Sequence, residues 1–390
     1  MDRKPLEKKF IPYGRQWIDE EDINAVVETL RGDYLTTGPK IKEFEEKLAQ
    51  YVGAKYAVAI SNGTAALHAA CFAAGVKEGD EVITSPITFA ASANCVLYMG
   101  AKPVFSDIDP KTYNIDPKDI KRKITKNTKA IIPVHFTGQP CDMDEIFNIA
   151  REYDLTVIED GAHALGAEYK GKKVGSMGDM TTFSFHPVKH ITTGEGGAIT
   201  TDSEELYKKL LLFRTHGITR NSQEMINNEG PWYYEQQYLG YNYRITDFQS
   251  ALGVSQLNKS DRFLNIRRQY IRQYNIAFEG LREIVIPYQL EGTDSSWHLY
   301  IIKLRLERLK CGRREIFEEL LKRKIGVNVH YIPVYYHPFY KQLGYQKGLC
   351  PNAEELYERI ITLPLFPGME EEEIEYVISN VKEVIAQNRV

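Results

Sequence analysis

The sequence predicts an α/β protein: one large, mostly parallel sheet with helices on both faces, followed by a smaller α+β unit. Three observations predict it. Between residues 56 and 200, short apolar runs bounded by turn residues alternate with stretches of helical periodicity, as strands joined by crossover helices do. Beyond about residue 285 that alternation gives way to a mixed composition. The chain, at 390 residues, is also longer than one ordinary small core organises.

Each element follows from its residues. Ile23, Val26, Val27 and Leu30 recur at i, i+3, i+4 and i+7, which predicts a first helix. The Gly38-Pro39 break precedes a second helix around Phe44 and Leu48. Expected strands are 56–60, 81–84, 103–106, 130–134, 156–158, 180–185 and 198–200, with helices at 64–74, 91–99 and 143–153. Thr246-Asp247-Phe248-Gln249 has the form of a capping box and predicts one long helix running past Tyr270. A strand at 297–304, a helix at 314–324 and a closing helix with Ile374, Val377, Ile378, Val381 and Ile385 on one face complete the chain. The expected organisation is a helical arm over 1–31, a large domain over 32–280 and a small domain over 281–390.

Composition excludes several classes. Apolar residues at 43% and charged residues at 26% are globular values, so disordered, collagen-like and coiled-coil chains drop out. Lys plus Arg at 49 against Asp plus Glu at 53 leaves a net charge of −4, which argues against bulk electrostatic binding to nucleic acid or anionic membrane. The five cysteines are scattered without a C-x-x-C spacing, so neither a disulfide framework nor a structural zinc site is expected. Met1–Pro5 lacks the apolar stretch of a signal peptide, and no segment approaches the ~20 apolar residues of a membrane span. A cytoplasmic location is expected.

In open α/β sheets, ligands bind beyond the carboxyl ends of the strands, and three segments fall there. Ser61-Asn62-Gly63-Thr64-Ala65-Ala66 leaves a strand and opens a helix; it is either a phosphate cup or a plain capped turn. It is neither a Walker A motif nor G-x-G-x-x-G. Ile158-Glu159-Asp160-Gly161-Ala162-His163 ends another strand, where Asp160 either pairs with a cationic ligand atom or is a solvated turn acid. Lys189 lies in the Pro- and Gly-bounded loop Ser184–Gly197 after a third strand. It is either an exposed loop lysine or an amine held for Schiff-base chemistry. His186 and His190 match no usual metal-ligand spacing, and no metal is expected. Phosphate cup, strand-end aspartate and loop lysine together are what a pyridoxal phosphate (PLP) enzyme needs.

At these residues, with Gly32–Pro39 and Gly240-Tyr241-Asn242-Tyr243-Arg244, the chain resembles the fold-type-I PLP-dependent aminotransferases over essentially its whole length. Within them it resembles the DegT/DnrJ/EryC1/StrS sugar aminotransferases. The resemblance implies that Lys189 carries the cofactor as a Schiff base, Asp160 faces its pyridine nitrogen and His163 its phenolic oxygen. It implies that Phe89 stacks on the ring, that Thr64 and Ala65 hold the phosphate through their amides, and that Ser184 does so through its hydroxyl. Asn242 matches a residue that reaches the phosphate of a neighbouring subunit, which implies a homodimer with shared sites. Relatives with histidine at the lysine position are dehydratases; lysine at 189 implies transamination. The run Ser184–Gly197 looks closest to the pseudaminic acid branch. Its aminotransferase takes L-glutamate and a UDP-4-keto-6-deoxy-N-acetyl-hexosamine to UDP-4-amino-4,6-dideoxy-N-acetyl-β-L-altrosamine. Other 4-keto sugars, UDP-4-keto-arabinose or a dTDP-4-keto-6-deoxyhexose, and a non-catalytic PLP-binding regulator are the alternatives. Arg244, His330 and Tyr331 are candidate substrate contacts.

Overall fold

The apolar runs in the middle of the chain form a seven-stranded sheet in a computed structural model that describes residues 9–390. Its order is Tyr56–Ile60, Gly197–Thr201, Met180–Ser184, Thr156–Asp160, Thr128–Ile132, Glu81–Thr84 and Lys102–Phe105. The five strands from Met180–Ser184 to Lys102–Phe105 are mutually parallel. Gly197–Thr201 alone runs against both its neighbours. Most of these strands are buried nearly end to end because helices cover both faces, and this is why they read as short, largely apolar runs without a polar alternation.

Crossover helices Gly63–Ala73, Ala91–Tyr98, Pro117–Lys123 and Met143–Tyr153 leave carboxyl ends of strands on one edge of the sheet. Their starts are chemically marked. Asn62 caps the first by accepting from Ala65 N–H, and Asp116 and Pro117 open the third. Thr246 and Gln249 form the expected capping box. The helix it opens is not one long helix, however. It ends at Leu257, and a second runs from Ser260 to Phe278. At the break the Lys259 ammonium reaches Asp19 at 2.6 Å and Asp22 at 2.8 Å, two carboxylates at the start of helix Glu20–Arg31. A straight helix would not be free to turn that side chain toward both.

The C-terminal region has a three-stranded antiparallel sheet, Ile284–Val285, Tyr300–Leu304 and Ile360–Leu363. Helices Arg313–Lys322 and Glu371–Gln387 pack on it. Ile374, Val377, Val381 and Ile385 of the closing helix are buried in this core, with Ile378 at its margin. Ile271, Tyr274 and Phe278 belong to the same core, as does Ile11. The expected arm over 1–31 is therefore helical only from Glu20, while Ile11 pairs with Ile325. Residues 1–8 of that arm, Met1–Pro5 included, lie outside the described residues. Arg267 joins the two regions from within. Fully buried, it donates to the backbone carbonyls of Trp297, His298 and Leu365 at 3.0–3.3 Å. Among the described residues no helix is long and apolar enough to cross a membrane, and no group of His, Cys, Asp and Glu could hold a metal ion.

Candidate active site

A cleft of about 1120 Å³ opens at the carboxyl edge of the large sheet, where the C-terminal region meets it. Thr64, Ala65, Phe89, Asp160, His163, Ser184, Lys189, His330 and Tyr331 all line it. The fold brings together residues spread over most of the chain.

Lys189 sits on the hairpin loop between Met180–Ser184 and Gly197–Thr201. The loop is tied at its base by Phe185 N–H to the Gly196 carbonyl (2.8 Å) and Thr193 N–H to the Phe185 carbonyl (3.0 Å). A turn across Pro187, closed by Lys189 N–H on the His186 carbonyl at 2.8 Å, fixes where the side chain leaves the backbone. Burial pushes the Lys189 amine from 10.5 down to about 8, against the opposing pull of Asp160. A desolvated, directed amine that is easily freed of its proton is a nucleophile for a carbonyl carbon. His190, the next residue, points elsewhere: it is buried and hydrogen-bonds the Ser296 carbonyl with Nε2 at 3.1 Å.

Strand alternation sends Glu159 and Asp160 to opposite sides. Glu159 is fully buried away from the cleft. It meets His135 Nε2 at 2.8 Å and accepts from Gly178 N–H at 2.7 Å and the Thr181 hydroxyl at 2.9 Å. Asp160 faces the cleft and accepts from the Ser92 hydroxyl at 2.6 Å and Ala162 N–H at 3.1 Å. His163 is buried, and its Nε2 lies 3.1 Å from the Tyr331 hydroxyl. Its Nδ1 has no hydrogen-bond partner among the described residues, and its ring packs 4.3 Å from that of His298. Burial holds the His163 imidazole well below its ordinary pKa, with Lys189 adding to the effect.

The cup and the capped turn, posed as alternatives, occupy the same residues. Asn62 Oδ1 takes the Ala65 amide at 2.8 Å, so the Ala65 N–H expected to bind phosphate is already engaged. The Gly63 and Thr64 amides remain at the helix end. Gly63 lies so close to Ser184 that an added Cβ would stand 2.9 Å from its Cβ. Across the cleft Phe89 is 64% exposed, an unusual state for a phenyl ring and a ready stacking face. A deprotonatable buried lysine, a cradle of amides beside a hydroxyl, a buried carboxylate and an open aromatic face are the donor set that pyridoxal phosphate requires.

Two expected residues lie elsewhere. Asn242 is exposed and bridges to Thr215, and Arg244 is half-buried off the cleft; Tyr243 between them lines it. His330 hydrogen-bonds Thr362 Oγ1 at 2.9 Å, and burial pushes its imidazole down to about 3. Tyr13, Thr88, Ser92, Asn94 and Tyr340 also line the cleft, although nothing in their local sequence marks them.

Fold and cleft together define an aminotransferase of fold type I. The chain belongs to the DegT/DnrJ/EryC1/StrS aminotransferase family, whose profile matches residues 16–382; it is a PLP-dependent sugar aminotransferase. The chain is 42% identical to a Campylobacter jejuni UDP-4-amino-4,6-dideoxy-N-acetyl-beta-L-altrosamine transaminase, over 94% of this chain and 96% of that protein. It is also 42% identical to the Bacillus subtilis spore coat polysaccharide biosynthesis protein SpsC, over 96% and 97%. The PLP form of a putative sugar aminotransferase from Streptococcus pneumoniae superposes with a TM-score of 0.91 at 35% identity, covering 97% of this chain and 99% of that one.

Proposed function

We propose that the chain transfers the amino group of L-glutamate to C4 of a UDP-4-keto-6-deoxy-N-acetyl-hexosamine, giving UDP-4-amino-4,6-dideoxy-N-acetyl-β-L-altrosamine for pseudaminic acid synthesis. The near full-length likeness to the Campylobacter transaminase carries this reading. When bound, pyridoxal phosphate supplies an electron sink for the carbanion that forms when Cα of the amino acid loses its proton. The residues of this chain do the rest. Lys189 holds the cofactor, takes the proton from Cα of glutamate and, in the second half-reaction, delivers one to C4 of the sugar. Asp160 holds the ring nitrogen, His163 the ring oxygen, Phe89 the ring face, and Thr64 with Ser184 the phosphate. His330 and Tyr331 border the space left for the sugar.

A homodimer with shared sites is part of the proposal. Asn242 is displaced from its own chain's cleft, and Ile23, Leu30, Tyr34 and Leu35 leave an apolar face exposed; both features support it. The equal identity to SpsC favours a second reading, amination of another nucleotide 4-keto sugar.

Incubation with glutamate and a panel of UDP- and dTDP-4-keto-6-deoxy sugars separates the two. Amination of the UDP-N-acetyl sugar is expected, and amination of a dTDP sugar alone overturns the first reading. Lys189→Ala is expected to abolish turnover; substantial residual aminotransfer defeats the assignment of the lysine.

A further inference from the structure

Asp160 does not stand alone at the end of its strand. One carboxylate oxygen accepts from Ala162 N–H at 3.1 Å, and the other lies 2.6 Å from the Ser92 hydroxyl. Ser92 is in the first turn of helix Ala91–Tyr98 and is 1% exposed. A hydroxyl has one proton to give. Three acceptors compete for it, the carboxylate at 2.6 Å, the Thr88 hydroxyl oxygen at 2.7 Å and the Phe89 carbonyl at 3.4 Å, and the short charge-assisted bond wins. The Ser92 oxygen is then left as an acceptor, and the buried Thr88 hydroxyl stands 2.7 Å from it. The chain therefore has a direction: Thr88 donates to Ser92, and Ser92 donates to Asp160.

We propose that Thr88 and Ser92 form a two-hydroxyl relay that fixes the direction of the Asp160 carboxylate toward the cofactor's ring nitrogen, so that the proton stays on the ring. This rests on the reading that Asp160 faces that nitrogen. Aligned hydroxyls polarise one another inside a low-dielectric site, and a carboxylate held on both oxygens keeps one orientation. The relay occupies the same five residues that present Phe89 to the cleft, so one short segment serves both the face and the edge of the ring. The titratable groups that sense Asp160 from the surrounding elements are Lys189 from the hairpin loop, Tyr331 from the C-terminal region, Cys95 from the relay's own helix and Cys141 from the segment before Met143–Tyr153. Neither Thr88 nor Ser92 is placed to touch a substrate through these bonds; both are positioning residues.

The test titrates the visible absorption band of the holoenzyme against pH and measures the melting temperature of each apoprotein. The proteins compared are wild type, Thr88→Val, Thr88→Ser, Ser92→Ala and Asp160→Asn. A ring that loses its proton withdraws less charge from the lysine-linked imine, so the midpoint of the band rises. The expected result is the largest rise for Asp160→Asn, a rise of about half a pH unit for Ser92→Ala, a smaller one for Thr88→Val, and the wild-type midpoint for Thr88→Ser. Thr88→Val keeps the side-chain shape and does not touch Asp160, so it carries the test if Ser92→Ala folds poorly. Lower melting temperatures with unmoved midpoints for both relay variants overturn the relay while Asp160→Asn still shifts. An unmoved midpoint for Asp160→Asn overturns the placement of Asp160 itself, and the relay with it.

Discussion

Gly63→Ala tests the cradle most directly, because two effects of opposite sign meet at one methyl group. Alanine is the better helix former, by as much as ~1 kcal/mol in a helix interior and less in a first turn such as this one. Against that, the new Cβ would stand 2.9 Å from Ser184 Cβ, 3.2 Å from its Oγ and 3.4 Å from its Cα. The first distance is short of ordinary contact by roughly half an ångström or more. Gly197, the strand partner of Ser184, abuts the same helix end just as closely: a Cβ added there would meet the Asn62 backbone at 2.6 Å. Overpacking of this kind costs about 1–3 kcal/mol, so the net is destabilising by about 1–2 kcal/mol. The same displacement moves the Gly63 and Thr64 amides away from Ser184. Apoenzyme titrated with PLP, followed by absorbance, is expected to bind roughly tenfold more weakly. Binding and melting temperature both equal to wild type would show that the helix end and the strand can part without cost, and the close-packed cradle would be refuted.

Removal of the buried amine should abolish a pH dependence of stability. The folded chain holds the Lys189 ammonium less tightly than the unfolded one, its pKa falling from 10.5 to about 8, so the apoprotein carries a cost at neutral pH that fades as pH rises from about 8 to 10.5. Lys189→Met apoprotein should therefore be more stable than wild-type apoprotein at pH 7, by on the order of 3 kcal/mol. Urea melts at pH 7 and near pH 10 should show that advantage shrinking, and a constant difference contradicts the buried-amine account. Glu159→Ala leaves His135 Nε2, Gly178 N–H and the Thr181 hydroxyl without their acceptor in the core. A loss of about 3–5 kcal/mol is expected in denaturant melts, and a loss under 1 kcal/mol would mean that water replaces the carboxylate.

The strands were legible because they are buried on both faces, which writes them as short apolar runs; their ends slipped by one or two residues, as with 103–106 against Lys102–Phe105. The break at Asn258–Lys259 was not legible. Lys259 there meets a pair of carboxylates more than two hundred positions earlier, a partnership that local sequence does not announce. Lys189, Asp160 and the cup stood out through loop chemistry at strand ends. Ser92 and Thr88 did not, since a serine in the first turn of a helix ordinarily serves its own backbone. Glu159 and Asp160 look equivalent in sequence, and only the strand's alternation separates the core acid from the cleft acid. Asn242 and Arg244 belong to a run that is distinctive in composition, yet only Tyr243 between them lines this chain's own cleft.

The reversed strand Gly197–Thr201 sets the order in which this site can be assembled. Tyr56–Ile60, which leads into the cup, touches the rest of the sheet only through that strand. Its partner is synthesised roughly 140 residues later, a pairing of high sequence separation and slow closure. During synthesis the first half of the cradle therefore waits, unpaired, until the lysine loop and the strand behind it have left the ribosome. Cup and lysine then arrive together as one strand slots between two others. The complete cradle, cup and lysine together, thus depends on that one strand being in place between its two neighbours.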